Sequence, residues 1–162
     1  MNRELAVYPG SFDPITLGHY DIIQRAAAMF GHLLVVVMVN PDKHCLFSPQ
    51  ERVELIRKTV CELPNVSVEF SDGLLAEYVR KKQAKTIIKG LRAVSDFEYE
   101  FQMALTNKKL NPDAETVFLM TRAENMYLSS SLVRQIAAMG GDISEFVPSV
   151  IHGDVVNRLQ KN

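Results

Sequence analysis

Apolar residues along this chain form two kinds of pattern that follow one another repeatedly. Continuous runs such as residues 33–39 are typical of strands that are covered on both faces, as parallel sheets require. Stretches such as residues 21–30 carry apolar side chains at the spacing of one helix face. This alternation predicts an α/β fold built on a doubly wound, five-stranded parallel sheet.

The patterns place each predicted element along the chain. Strands are predicted at residues 5–7, 33–39, 66–70, 86–88 and 116–120, and helices at about 21–30, 48–61, 74–82, 95–110, 130–139 and 148–159. Two S-x-x-E patterns, Ser48 to Glu51 and Ser95 to Glu98, are capping boxes that predict helix starts. The third helix is predicted to start near Asp72. Since no linker, repeat or low-complexity segment interrupts the pattern, we expect one domain over residues 1–162.

The segment YPGSFDPITLGH at residues 8–19 joins the first strand to the first helix. Such a junction leaves unpaired backbone N–H groups and the positive end of the helix at the carboxyl edge of a parallel sheet, where anions bind. It also carries several polar side chains, namely Ser11, Asp13, Thr16 and His19. A plain connector, with Gly10 and Gly18 supplying only the turn, is the alternative, but a turn needs fewer polar groups.

Other polar residues follow the remaining strands. Lys43 follows the second strand, Lys89 and Arg92 follow the fourth, and Arg122 follows the fifth. We expect these cations to converge on one crevice and bind a phosphate-rich small ligand. A solvated surface charge is the usual fate of a single Lys or Arg, and Lys43 alone slightly favours that alternative. Lys89 and Arg92 favour a site, because they bracket Gly90 directly after a buried strand.

Three consecutive serines, Ser129, Ser130 and Ser131, precede the fifth predicted helix. One serine is enough to cap a helix, and a plain N-cap is the alternative interpretation. Three hydroxyls after a strand on the same edge favour a phosphate site at the helix N-terminus, with Arg134 one turn further in.

Composition narrows the class of protein. With 47% hydrophobic residues and a net charge of −1, the chain suits a globular domain and gives no electrostatic reason to expect a nucleic-acid polymer or an anionic membrane as partner. The start of the sequence lacks the apolar core of a signal peptide and no apolar run is long enough for a membrane span, so a cytoplasmic location is expected. Cys45 and Cys61 form no metal-binding pattern and are expected to be reduced bystanders.

Two motifs carry a family resemblance. Residues 10–19 resemble the (H/T)xGH signature of the nucleotidylyltransferase superfamily, and residues 129–134 resemble its ISSTxxR motif. Together with residues 90–100, the whole chain resembles the bacterial phosphopantetheine adenylyltransferase family. The resemblance implies a Rossmann-like nucleotidylyltransferase fold, assembled as a cytoplasmic homohexamer. It also implies a reversible step of coenzyme A biosynthesis, in which ATP and 4′-phosphopantetheine give dephospho-coenzyme A and pyrophosphate with Mg²⁺ present.

The resemblance also implies roles for individual residues. His19 corresponds to the catalytic histidine, which stabilises the transition state at the α-phosphate. The positions that match those binding phosphopantetheine are Ser11, Lys43, Leu75 and Lys89. The positions that match those binding ATP are Ser11, Phe12, His19, Gly90, Leu91, Arg92, Glu100, Asn125, Met126, Tyr127, Leu128, Ser129, Ser130 and Ser131. No residue is expected to form a metal cage in the protein. Lys89 replaces the arginine of many members, and Asn125-Met126-Tyr127 departs from their aromatic-Ser-Phe pattern.

This chemistry needs no nucleophile from the protein. The acceptor phosphate is itself a nucleophile at neutral pH, so we expect in-line attack on the α-phosphate without a covalent enzyme intermediate. Cytidylyltransferases and nicotinamide-mononucleotide adenylyltransferases share the first loop and are alternatives, as is a nucleotide-sensing module that binds ATP without turnover. His32 and His152 are expected to be structural, His44 is left open, and an aromatic cluster at residues 97–103 is expected to be core or subunit interface.

Overall fold

The computed structural model describes residues 4–160, and its strands and helices alternate along the chain. The strands are β1 Leu5–Gly10, β2 His32–Met38, β3 Val66–Ser71, β4 Thr86–Leu91 and β5 Glu115–Met120. The helices are α1 Leu17–Met29, α2 Pro49–Thr59, α3 Leu75–Lys81, α4 Val94–Leu110, α5 Ser130–Ala138 and α6 Ser149–Gln160, with a short 3-10 helix at Ala123–Asn125. No helix within residues 4–160 has the length and apolar character that a membrane span requires.

The five strands form one parallel sheet in the order β3-β2-β1-β4-β5, which confirms the predicted α/β class and the doubly wound arrangement. The chain builds outward from β1 through β2 to β3. It then returns to the other side of β1 and builds outward again through β4 and β5. β1 and β4 therefore flank the switch point of the sheet, where ligands of open α/β sheets bind.

The two strands at the switch point separate before they end. β1 pairs with β4 only at Ala6 and Val7, but it stays paired with β2 as far as Gly10. In the same way β4 stays paired with β5 as far as Leu91. Pro9, which has no backbone N–H to donate, lies in the part of β1 that has left β4. The separation opens a crevice between the carboxyl ends of the two strands.

Apolar residues cover both faces of the sheet. On one face, Ala6 and Val35 pack in a large cluster with residues of α1, α2, α5 and α6. On the other face, Val7 and Leu34 pack in a smaller cluster with Val79 of α3. Consecutive residues point to opposite faces, so a strand covered on both sides must be apolar throughout. This requirement explains the continuous apolar runs in the sequence.

Only one of the two predicted capping boxes forms. Ser48 Oγ accepts from Glu51 N–H, and the Glu51 carboxylate accepts from Ser48 N–H, so the first prediction is confirmed. The second is wrong, because α4 begins after Ala93 with no side-chain cap. The predicted start of the third helix near Asp72 is also wrong, because α3 begins at Leu75 and its N-cap residue, Leu74, carries no capping side chain.

The strands at the switch point are longer than predicted. Tyr8, Pro9 and Gly10 belong to β1, because each pairs with a residue of β2. Lys89, Gly90 and Leu91 belong to β4, because each pairs with a residue of β5. The prediction that these residues form loops is wrong for this reason. The first helix likewise begins at Leu17, so His19 lies in its first turn.

Candidate active site

A pocket of about 230 Å³ lies in the crevice between β1 and β4. Its floor is made of the separated strand ends, and its walls come from the first turn of α1, the start of α4 and the start of α5. The residues that line it are Tyr8, Pro9, Gly10, Phe12, Thr16, Gly18, His19, Ile22, Lys89, Gly90, Arg92, Asp96, Glu100, Thr121, Leu128, Ser129 and Ser130. The prediction that polar residues collect at this edge of the sheet is confirmed.

His19 is held by a capping box at the start of α1. Thr16 is the N-cap residue, and its Oγ1 accepts from His19 N–H at 3.3 Å. In return, the backbone N–H of Thr16 donates to Nδ1 of His19 at 3.0 Å. A backbone N–H can only donate, so Nδ1 carries a lone pair and the proton of the neutral ring is on Nε2. Nε2 is therefore the ring nitrogen that is left to bind a ligand.

The surroundings of His19 keep its ring neutral. Burial, and after it the positive charge of Arg92, lower the pKa of His19 from its ordinary value to about 4. At neutral pH the ring therefore offers an uncharged Nε2–H donor. A neutral imidazole with a fixed tautomer can polarise a phosphoryl oxygen without exchanging a proton.

Phe12 fixes the shape of the loop between β1 and α1. It has a φ of 49°, in the left-handed region that a bulky residue rarely occupies, and its side chain is buried. The ring packs edge-on against Tyr8 at 5.3 Å and against His19 at 5.0 Å between centroids. A Cβ on Gly10 would approach the Phe12 ring to 2.9 Å, so glycine at position 10 makes room for the ring.

Two cation–carboxylate pairs form the opposite wall of the pocket. Nζ of Lys89 lies 3.2 Å from Oε2 of Glu100. Nε of Arg92 donates to Oδ2 of Asp96 at 3.0 Å, and its Nη1 donates to the carbonyl of Leu128. The prediction that four cations converge on one crevice is confirmed for Lys89 and Arg92 and is wrong for Lys43 and Arg122, which lie outside the pocket lining. The Arg92 guanidinium is oriented by the start of α4 and by the segment before α5.

The serine run contacts the protein itself. Ser129 is the N-cap of α5 and accepts from Leu132 N–H at 3.1 Å, while Ser130 Oγ donates to the carbonyl of Pro14 at 2.7 Å. Both residues line the pocket, but the simpler N-cap interpretation is the correct one for the Ser129 hydroxyl. Arg134 donates to the Asp13 carbonyl, so it holds the loop before α1.

Comparison with known proteins defines the family. The Cytidylyltransferase-like family matches residues 7–136. The chain is 57% identical over 158 residues to the phosphopantetheine adenylyltransferase of Caldanaerobacter subterraneus subsp. tengcongensis, covering 98% of this chain and 99% of the relative. It is 56% identical over 156 residues to the phosphopantetheine adenylyltransferase of Clostridium kluyveri, covering 96% and 95%. The chain belongs to the phosphopantetheine adenylyltransferase family.

Solved structures agree on the fold. The putative nicotinate-nucleotide adenylyltransferase of Vibrio parahaemolyticus superposes with a TM-score of 0.67 at 19% identity, covering 96% of each chain. A bifunctional NMN adenylyltransferase/ADP ribose pyrophosphatase from Francisella tularensis superposes with a TM-score of 0.71 at 15% identity, covering 98% of this chain and 48% of that one. At these identities the likeness supports the Rossmann-like nucleotidyltransferase fold alone.

The pocket contains part of the residue set that the resemblance to phosphopantetheine adenylyltransferases implied. The residues in the lining are Phe12, His19, Lys89, Gly90, Arg92, Glu100, Leu128, Ser129 and Ser130. The residues outside it are Ser11, Lys43, Leu75, Leu91, Asn125, Met126, Tyr127 and Ser131. Lys43 and Tyr127 are exposed, and Leu91 is buried in β4. Arg122 also lies outside the lining and pairs with Asp21 at 2.9 Å.

Other lining residues received no role from the sequence. Burial, and next the charge of Glu100, raise the pKa of Tyr8 far above its ordinary value, so its hydroxyl stays protonated beside the pocket. Asp96 lies four residues after Arg92, and this spacing could have indicated their pairing. Thr16 lies three residues before His19, which is the spacing of a capping box with histidine in place of Glu or Gln.

The remaining histidines and the aromatic cluster lie elsewhere. His32 bonds Ser67 Oγ at 2.8 Å at the start of β2, His152 lies on α6 near Asp142, and His44 is exposed in the loop after β2. Phe97, Tyr99 and Phe101 are exposed on α4, so the expectation that they belong to the core is wrong for these three. The expectation of a subunit interface stays a prediction.

Proposed function

We propose that this protein transfers the adenylyl group of ATP to 4′-phosphopantetheine, giving dephospho-coenzyme A and pyrophosphate, as a step of coenzyme A biosynthesis. The observation that carries the proposal is the neutral His19 ring, fixed at the switch-point pocket beside Lys89 and Arg92. This geometry suits phosphoryl chemistry in general. The names of relatives that are 57% and 56% identical specify the acceptor.

The reaction follows from what each group supplies. The acceptor phosphate attacks the α-phosphate of ATP in line, the bond to the bridging oxygen breaks, and pyrophosphate leaves, so no covalent enzyme intermediate forms. His19 donates its Nε2–H to an α-phosphoryl oxygen on which charge increases during the attack. Removing a donor of this kind typically lowers the rate about 100- to 1000-fold.

The charged residues of the pocket hold the two substrates. We assign Arg92, with Gly90, Glu100 and the 125–131 segment, to ATP. Lys89 is assigned to the acceptor, together with Ser11, Lys43 and Leu75, whose role the family resemblance implied and which lie outside the pocket lining. Of these, Lys43 is exposed in the loop after β2. Its side chain is therefore accessible to a ligand that extends beyond the crevice.

Mg²⁺ is expected with the nucleotide. Within residues 4–160, no group of three or more His, Cys, Asp and Glu side chains could hold a metal ion. The two carboxylates of the pocket, Asp96 and Glu100, each pair with a cation, which does not fit a magnesium site formed by the protein. We infer that phosphates and water supply the ligands of the ion, whose charge shields the triphosphate.

The proposed activity and the exposed surface of α4 bear on location and assembly. We propose a cytoplasmic location, because ATP is abundant there. Val94, Phe97, Phe101 and Leu105 on α4 are each at least 44% exposed, and the Phe97 and Phe101 rings stack at 5.6 Å. An apolar surface of this kind supports assembly, and we propose the homohexamer that the resemblance implies. The mass of the particle by light scattering tests this state.

Pyrophosphate release tests the proposed activity. Release from ATP and Mg²⁺ should require 4′-phosphopantetheine and should fall at least about 100-fold in His19→Ala. The matched control is His152→Ala, which removes an imidazole on α6 outside the pocket and should keep wild-type rates. Release with CTP, or with nicotinamide mononucleotide as acceptor, would favour a related transferase. ATP binding without release under any condition would favour a sensing module.

A further inference from the structure

Asp13 contacts a second loop rather than the pocket. Its side chain is buried and does not line the pocket. Oδ2 accepts from the backbone N–H of Leu46 at 2.8 Å, and Oδ1 accepts from the backbone N–H of Phe47 at 2.9 Å. One carboxylate thus satisfies two consecutive N–H groups of the loop between β2 and α2. Hydrogen bonds from backbone N–H groups to a buried carboxylate are among the stronger ones in proteins.

Asp13 is itself fixed by residues outside its loop. Nη1 of Arg134 on α5 lies 3.4 Å from Oδ2 of Asp13 and also donates to the Asp13 carbonyl. Nη1 of Arg52 on α2 donates to the carbonyl of Ser11 at 2.8 Å. The loop that leads to His19 is therefore held from two helices. The Asp13 carboxylate therefore bonds the second loop while its own loop is bonded to α2 and α5.

The second loop is fixed at both ends and exposed between them. At its start, the N–H of Val39 donates to the Ser71 carbonyl at 2.8 Å. At its end, Leu46 and Phe47 bind Asp13, and Arg158 on α6 donates to the Leu46 carbonyl at 3.3 Å. Residues 41–44 between these points are exposed. Lys43 lies three residues before Leu46, so the bond at Asp13 limits where its ammonium group can lie.

We propose that Asp13 is a positioning residue that sets the location of Lys43 relative to His19. The inference rests on the proposed function, in which Lys43 binds the phosphate-bearing acceptor and His19 acts at the α-phosphate. One buried side chain thus joins the two loops, because Asp13 belongs to the loop that leads to His19 and directly bonds the loop that carries Lys43. Asp13 acts through Lys43 and does not itself contact substrate.

The test separates an effect through Lys43 from a general loss of structure. Asp13→Asn keeps one acceptor oxygen, but its NH₂ group faces one of the two N–H donors and releases it. We expect the KM for 4′-phosphopantetheine to rise at least about tenfold while the KM for ATP changes less than about threefold. In a Lys43→Ala background, Asp13→Asn should change the acceptor KM by less than about threefold, because the group through which it acts is absent. The matched control is Asp113→Asn, at an exposed position away from both loops.

Several results would overturn the inference. They are an equal rise in both KM values, a fall in kcat alone, and the same effect of Asp13→Asn with and without Lys43. If Asp13→Asn does not fold, Arg158→Gln, which releases the other side of Leu46, must show the same dependence on Lys43. A wild type without turnover rejects the proposed function instead. In that case amide hydrogen exchange tests whether Asp13 holds the loop that carries Lys43. Exchange at Leu46 and Phe47 must be faster in Asp13→Asn than in the wild type, and unchanged exchange would overturn the inference.

Discussion

The backbone N–H of Thr16 donates a hydrogen bond to Nδ1 of His19 over 3.0 Å. Because of this bond, Nε2 is the protonated nitrogen of the neutral ring. His19 can therefore act as a hydrogen-bond donor through its Nε2–H group. It also opposes protonation at Nδ1, since a charged imidazole would place a second N–H against that of Thr16. The tautomer of His19 is therefore set by the main chain of its own helix start.

The lowered pKa of His19 predicts a specific dependence of stability on pH. The unfolded state takes up a proton near the ordinary histidine pKa, whereas the folded state resists protonation down to about pH 4. Stability is therefore fully present above the unfolded pKa and is lost as the pH falls toward 4. When the pH falls from 7 to 5, the lowered pKa of His19 alone should decrease the unfolding free energy of the wild type by up to about 2 kcal/mol.

Urea unfolding at the two pH values measures this effect. His19→Asn lacks the titrating group and should lose less stability over the same interval. The other histidines contribute equally to both proteins, so they cancel in the difference. Identical pH dependence in wild type and variant would mean that the His19 ring is not held neutral by its surroundings.

The hydroxyl of Thr16 contributes separately from its backbone N–H. Thr16→Val keeps the shape of a buried side chain but removes the N-cap, which should cost about 1 kcal/mol of stability. The rate should fall less than in His19→Ala, because the main-chain bond to Nδ1 persists. Thr16→Ser restores the hydroxyl and should recover most of the lost stability in thermal unfolding. A Val variant as stable as the Ser variant would contradict the capping role.

Gly18 and Gly10 should respond differently to the same substitution. A Cβ at Gly18 would have its nearest neighbour at 3.5 Å, an ordinary contact, yet the residue lines the pocket. We expect Gly18→Ala to keep or raise stability by up to about 1 kcal/mol while substrate turnover falls, since the methyl group occupies ligand space.

Gly10→Ala is the comparison. Its Cβ would press on the buried Phe12 ring at 2.9 Å, which should cost about 1 to 3 kcal/mol and lower turnover as well. Thermal unfolding and pyrophosphate release, measured on both variants, check the contrast. Full activity in Gly18→Ala would mean that no ligand approaches this turn of α1.

Lys89 is expected to act through its charge. Its side chain and that of Glu100 are 22% and 19% exposed, so the pair is largely shielded from water. Lys89→Met should raise the acceptor KM about 10- to 100-fold, the loss expected for a hydrogen bond to a charged group. Lys89→Arg keeps the charge and should stay within about threefold, consistent with the arginine of many family members. Equal KM values in the Met and Arg variants would rule out a charge contact at this position.

The order and type of the elements could be predicted from the sequence. Apolar runs identify strands that are buried on both faces, and the Ser48–Glu51 pair identifies the start of α2. The end of β1 could not be predicted, because Pro9 and Gly10 resemble a loop in composition and are strand only through their pairing with β2. The end of a strand at a switch point depends on which adjacent strand remains paired with it. Such pairing is a tertiary contact and cannot be predicted from the residues of the strand itself.

The site residues, too, could be predicted only in part. The sequence indicated which loops meet at the crevice, since the topology brings carboxyl strand ends together. It did not indicate where each side chain points. Asp13 and Arg134 were expected near phosphate, yet each contacts protein groups from a distant segment. Such pairings depend on tertiary packing between residues that are far apart in the chain.

The bonds of the first loop also constrain when a working site can exist. The Pro14 carbonyl is held by Ser130 and the Asp13 carbonyl by Arg134, over 116 and 121 residues of sequence. A ribosome synthesises the histidine motif early, but the groups that secure it emerge only when most of the chain has been made. A nascent or truncated polypeptide that ends before α5 would contain the motif without its supports. We therefore expect a working site in this protein only after α5 has been synthesised.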